Sequence, residues 1–176
     1  MAAQANDFAL ILANSYDPAR QPSDQLADRA GAARLLGPFL TEEDDFVRIA
    51  SELTPFRDVL RTNLISAVAG QPVPKESEVG LSEALKLPWR VADAALGAVS
   101  LQPEGTAAQR LSAWAALGYF ALIQDVRNRL RVCDSAPCEE IFRDDTKAGQ
   151  QRFCSKRCAN RFNVARHRDR QKSSND

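Results

Sequence analysis

The chain has 176 residues, 44% hydrophobic and 26% charged, with 23 Lys/Arg against 23 Asp/Glu. That length suffices for one ordinary core plus a small appended module, and no apolar run approaches the ~18 residues of a membrane-spanning helix, so a helical membrane protein is excluded and a cytoplasmic one expected. The balance of charge hides a split: residues 1–125 hold 10 Lys/Arg against 16 Asp/Glu (−6) and residues 126–176 hold 13 against 7 (+6), the asymmetry of a chain whose one end meets a polyanion.

The N-terminal stretch has an apolar run from Phe8 to Ala13. No basic segment precedes it and Asp7 interrupts the approach, so it does not read as a signal peptide. Turn-forming clusters fall at 17–24, 70–80, 102–105 and after Arg170, and they divide the rest. Residues 24–36 carry Leu26, Ala30, Ala33 and Leu36 at helical spacing, stopped by Gly37-Pro38. Thr41 reads as the N-cap of a second helix with acidic residues 42–45 in its first turn. Thr54-Pro55 predicts a kink or a restart, and the helix over 55–69 places Phe56, Leu60, Leu64 and Ala67 on one face. Residues 87–101 alternate around Trp89, Val91, Val99 and Leu101 and suggest a β-hairpin. A long amphipathic helix over 106–131 follows, with Leu111, Trp114, Leu117 or Gly118, Ala121 and Leu122, and is expected to run straight into the C-terminal module.

All four cysteines fall in one window, Cys133, Cys138, Cys154 and Cys158, spaced C-x4-C-x15-C-x3-C. In a reducing compartment two close pairs separated by a loop point to metal ligation rather than disulfides. Zn²⁺ takes four thiolates at tetrahedral corners, two from each tight turn. The window holds few apolar residues of its own, Ile141, Phe142, Phe153 and nearby Phe162, so metal and fold are expected together, structural zinc supplying an apparent ~10–16 kcal/mol. Residues 134–137 form a knuckle, 140–143 and 151–153 are expected to pair as a hairpin, and Ser155 caps a helix bearing Cys158. Knuckle, hairpin and ligand-bearing helix in that order resemble a treble-clef finger. The fold class expected is mainly α (α+β): an N-terminal helical domain over 1–125 with a small β-hairpin, and a zinc finger over 126–176.

On the last helix Cys158, Phe162 and Ala165 share the side that would face the metal. Lys156, Asn160, Asn163, His167 and Arg170 point away, with Arg157, Arg161 and Arg168 on one flank and Arg166 on the other. Eight Lys/Arg lie between Arg152 and Lys172, against Asp169. Such a helix suits DNA phosphates, and its asparagines and arginines suit base edges.

The stretches R-V-C-D-S-A-P-C-E-E-I-F-R-D-D-T, R-F-C-S-K-R-C-A-N-R and A-R-H-R-D-R resemble the CGNR zinc-finger family over 131–170. In that family the fourth cysteine opens a Cys-Gly-Asn-Arg motif; here Cys158-Ala159-Asn160-Arg161 stands instead, and Phe153 occupies a place where the family commonly has tryptophan. The resemblance implies an N-terminal ABATE domain in residues 1–125 and a stress-induced transcription regulator. Asn14, in Leu12-Ala13-Asn14-Ser15, and Arg57 fall where that domain has an Asn-Thr pair and a helix arginine. Arg57 also lies at the border of a buried face, where a guanidinium needs a partner: either it is internally paired, or it forms with Asn14 a site for a small anionic effector.

The function expected is a zinc-dependent DNA-binding regulator whose N-terminal domain senses a ligand or partner. Because one finger buries only ~600–1,000 Å² on DNA, a homodimer or a second protein is expected to complete the contact. An adaptor for RNA or protein is the alternative reading. A nuclease requires a general base and an open metal position, whereas four cysteines close the zinc and His167 is the chain's one histidine, so no catalytic residue is expected.

Overall fold

The computed structural model describes residues 2–93 and 100–173. Helix α1 (Ala2–Ala13) buries Ala5, Phe8, Ala9, Leu12 and Ala13, a face at three- and four-residue spacing. It lies against α5 (Ala107–Val126) at very short range, because a Cβ on Gly118 would come within 2.0 Å of the Ala5 carbonyl oxygen. Gly118, and not the exposed Leu117, therefore faces α1. Thr106 caps α5 reciprocally: its Oγ1 accepts from Gln109 N at 3.3 Å, and Gln109 Oε1 accepts from Thr106 N at 2.9 Å.

Helix α2 (Arg29–Leu36) begins later than its periodicity implied. Asp28 is its N-cap, with Oδ2 accepting from Gly31 N at 2.7 Å, while Asp24 is turned to Leu26 N and Arg57. Helix α3 (Phe46–Val68) is also capped further on than expected, by Asp45 and not Thr41. Thr41 closes a separate turn in which Asp44 Oδ2 accepts from its N and Oγ1. The restart expected at Pro55 does not occur: α3 is continuous across it, held by the buried face Ile49, Leu53, Leu60 and Leu64. Tertiary packing of a long apolar stripe outweighs one missing backbone donor. Residues within the expected break at 70–80 begin α4 (Lys75–Leu85), where Ser77 N and Glu78 N both donate to Pro74 O and Asn63 Nδ2 donates to Ser77 O.

Strands β1 (Trp89–Asp93) and β2 (Ser100–Pro103) pair antiparallel, Trp89 opposite Pro103, as the alternation predicts. Residues 94–99 of the expected hairpin lie outside the described residues. Helix α5 does not continue to residue 131. It gives way to a 3₁₀ turn (Arg127–Arg129) and to β3 (Leu130–Val132), which pairs antiparallel with β4 (Ile141–Arg143), Val132 opposite Ile141. The strand is favoured because Leu130 and Ile141 enter the same buried cluster as Phe8, Leu12, Leu60 and Leu64. The helix α6 (Lys156–Ser173) ends the described chain. Among the described residues no helix is long and apolar enough to cross a membrane.

Candidate metal centre and basic helix

Cys133 follows β3, its N donating to Glu140 O at 2.9 Å, and Cys138 N donates to Ser135 O across the knuckle at 2.9 Å. The knuckle is thus where the sequence placed it, but the expected partner of 140–143 is wrong. Residues 151–153 do not form a strand; they are tied down as loop, with Asp134 N donating to Arg152 O and Gln151 N donating to Asp144 Oδ2 at 2.8 Å. Asp144 is buried and also accepts from Thr146 N and Oγ1; these hydrogen bonds, Thr146 foremost, hold its carboxyl below its ordinary pKa. The loop returns at Gly149 (φ +63°), where a Cβ would meet the Arg129 guanidinium at 2.7 Å. Ser155 caps α6 as expected, Oγ accepting from Cys158 N at 3.3 Å.

These turns bring all four Sγ atoms within 4.8 Å of one another, with Cys138–Cys154 at 3.8 Å and Cys154–Cys158 at 3.6 Å. A tetrahedral ion with Zn–S bonds of 2.3 Å requires sulfur–sulfur edges of about 3.8 Å. The donor set therefore fits one tetrahedral ion. Burial raises the Cys138 thiol to about 11, with Asp17 and Cys133 acting in the same direction, and burial also pushes Cys154 upward. Cys158 is held below the ordinary thiol value because hydrogen bonds from Ser155 and the neighbouring cysteines outweigh its own burial. A metal ion takes cysteine as thiolate, so a cation binding at this cluster expels protons.

Residues 129–171 match the CGNR zinc finger family model. The match takes in β3, β4, all four cysteines and α6 through Gln171. No curated protein matches the chain.

Outside the four cysteines, this C-terminal module is held by side chains that sequence reading assigned elsewhere or missed. Arg161, expected on the DNA-facing helix flank, turns inward: Nε donates to Ser135 Oγ at 3.0 Å, Nη2 to Ser135 O at 2.6 Å and to Cys158 Sγ at 3.5 Å. It clamps the knuckle to α6. Asn14 does not stand open to a ligand; its Nδ2 donates to Ile141 O at 2.7 Å and its Oδ1 accepts from Ile141 N at 2.9 Å, so it completes the free edge of β4. Arg57, 3% exposed, is paired with both oxygens of Asp24 at 2.9 and 3.0 Å, and with Asp58 and Ser15. Burial alone would raise Asp24, but the Arg57 hydrogen bonds and charge outweigh it and hold its pKa low.

Three further residues join the finger to the rest of the chain. Arg61 donates to Ala13 O at 3.2 Å and to Glu139 O and Oε2 at 3.0 and 3.1 Å. Arg20 pairs with Glu140 and Asp17, and the buried Asp17 Oδ2 accepts from Cys138 Sγ at 3.8 Å. Arg61 had a sequence signal, four residues beyond Arg57 on the same buried face; Asp17 and Arg20 sit in a turn cluster and had none.

On α6, Lys156, Arg157, Asn160, Asn163, Arg166, His167, Arg168 and Arg170 are all exposed. Phe162 packs on Phe153 with ring centroids 5.1 Å apart, and the Arg152 guanidinium lies over both rings. Ala165, expected to face the metal, is exposed, as is every described side chain from Asn163 to Gln171. The buried contact of α6 ends at Phe162, about two turns into the helix, and the described residues beyond it project into solvent.

Proposed function

We propose that this protein is a zinc-dependent DNA-binding regulator, in which one Zn²⁺ on Cys133, Cys138, Cys154 and Cys158 fixes α6 as a recognition helix. The observation that carries this reading is the projecting part of that helix. Arg166, Arg168, Arg170 and His167 are exposed on it together with Asn163, a composition suited to phosphate oxygens and base edges. Four thiolates close the zinc sphere, so the metal's part is structural and the protein is read as a binding module, not an enzyme. Residues 1–125 resemble an ABATE domain, which supports a sensing role for them and a place in stress-induced transcription. As a lone finger gives a small footprint, the reading includes a homodimer or a partner protein on the DNA.

Selection of bound sequences from random duplex DNA tests it. A recovered motif, lost when zinc is removed, is the expected result. Equal recovery of all sequences, or enrichment from single-stranded RNA alone, contradicts it, since base readout in a duplex groove is what yields a motif.

A further inference from the structure

Between the loop after α1 and the first turn of α6 lies a cleft of about 600 Å³ whose polar lining is Arg20, Gln21, Gln25, Asp28, Arg34 and Arg157. Three guanidiniums from three separate segments meet a single carboxylate. That carboxylate is engaged, Asp28 Oδ2 accepting from Gly31 N as the cap of α2. Arg20 is also engaged, with Glu140 and Asp17.

The other donors are not matched. Arg34 is exposed and directs Nη2 to Gln25 Oε1 at 2.7 Å, and no acidic group pairs with it among the described residues. Arg157 is exposed and has no hydrogen-bond or ion-pair partner among the described residues. Gln25 is 5% exposed, and its buried amide Nε2 meets no acceptor. A buried donor left unpaired is costly. Gln25 itself lines the cleft, whose other unmatched groups are also donors and are positively charged. Burial of Gln25 also fixes where its amide lies: the carbonyl end is held by Arg34, so the nitrogen end cannot turn to exchange places with it without setting two donors face to face.

A surplus of donors around two uncompensated guanidiniums calls for an anionic group with several acceptor oxygens. Phosphate, as a monoester or as a diester, meets this requirement, and forked arginine donors match its geometry. We propose that this cleft binds a phosphate group, held on one side by Arg34 and Gln25 and on the other by Arg157 of the finger. The ligand would thus bridge residues 1–125 and α6. The phosphate belongs either to a small phosphorylated molecule or to a nucleic-acid backbone lying along α6; only the second source rests on the DNA-binding reading. For the effector, the cleft supplies a chemical class and a place distinct from Asn14 and Arg57.

The zinc-loaded full chain is titrated with inorganic phosphate at constant ionic strength by calorimetry, and separately with short duplex DNA. R34Q and R157Q are compared with the parent, and melting curves without phosphate confirm that both are folded, since both side chains are exposed. Saturable phosphate binding, weakened by about tenfold or more in each variant, is the expected result, equivalent to one charge-assisted hydrogen bond. Duplex affinity unchanged in R34Q then identifies a small molecule as the source. If free phosphate fails to bind but R34Q weakens the duplex and lowers its salt slope by about one, the backbone is the occupant and the proposal still holds. Phosphate binding that neither variant alters, or no phosphate binding together with an unchanged duplex affinity in R34Q, overturns it. Phosphate binding that both variants weaken, in a protein that binds no duplex at all, keeps the cleft and removes the DNA reading.

Discussion

Asn14→Ala removes two hydrogen bonds at once and leaves both partners on one buried residue. In the parent, Asn14 Nδ2 reaches Ile141 O at 2.7 Å and Ile141 N reaches Asn14 Oδ1 at 2.9 Å, with Ile141 1% and Asn14 8% exposed. A buried backbone group deprived of its partner costs about 1–3 kcal/mol, and the slight exposure of the site lets water relieve part of it. The expected loss is therefore about 2–4 kcal/mol. At about 2–4 °C per kcal/mol for a chain of this size, the melting temperature falls by roughly 5–15 °C. The assay is chemical and thermal denaturation of the zinc-loaded protein, with Asn14→Asp as the second variant. The carboxylate sets an oxygen against Ile141 O at neutral pH but can donate to it when protonated. Its deficit relative to the parent is expected to shrink in acid, whereas that of Asn14→Ala is not. An Asn14→Ala protein within about 0.5 kcal/mol of the parent, the range of an inconsequential surface change, would refute the reasoning that this amide joins the finger to α1.

Two further outcomes separate structural from recognition roles. Arg161→Ala unclamps the knuckle and is expected to speed zinc transfer to a chromogenic chelator several-fold, while Arg166→Ala leaves zinc transfer unchanged and lowers the salt slope of DNA binding by about one; equal zinc kinetics in the two variants would contradict the assignment. The Asp24–Arg57 pair sets a pH dependence. Because the folded-state pKa of Asp24 lies below its ordinary value of 3.8, its contribution is fully present above that value and is lost as pH falls through the folded one. Asp24→Asn is expected to lower the denaturation midpoint at pH 6 and to show a shallower decline than the parent below pH 4; parallel declines would show that the pair carries no such linkage.

What could be read from the sequence was what depends on local chemistry. Cysteine spacing, the Ser155 cap and the knuckle at 134–137 are set within a few residues of one another, and they appear in the structure where the pattern put them. The errors fall where distant segments decide. Residues 151–153 look as able to form a strand as 130–132, but Leu130 reaches the buried cluster beneath α1 and α3, so β4 pairs with it and α5 ends early. Pro55 reads as a break until the apolar stripe on both sides of it is seen to pack continuously. Ala165 lies on the metal side of an ideal helical wheel, but the finger is too small to extend beneath it. Arg161 and Arg157 show the same ambiguity from opposite sides: both are basic residues of one helix, and only the fold turns one into a clamp and sets the other in a cleft.

The most direct test of the account is metal content measured together with order. The purified protein is expected to carry one equivalent of zinc, and a strong chelator is expected to remove it, abolish amide protection across residues 129–171 and eliminate DNA binding, while α3 and α5 stay protected. A protein that contains no metal, and whose finger exchanges just as slowly with chelator present, would contradict it.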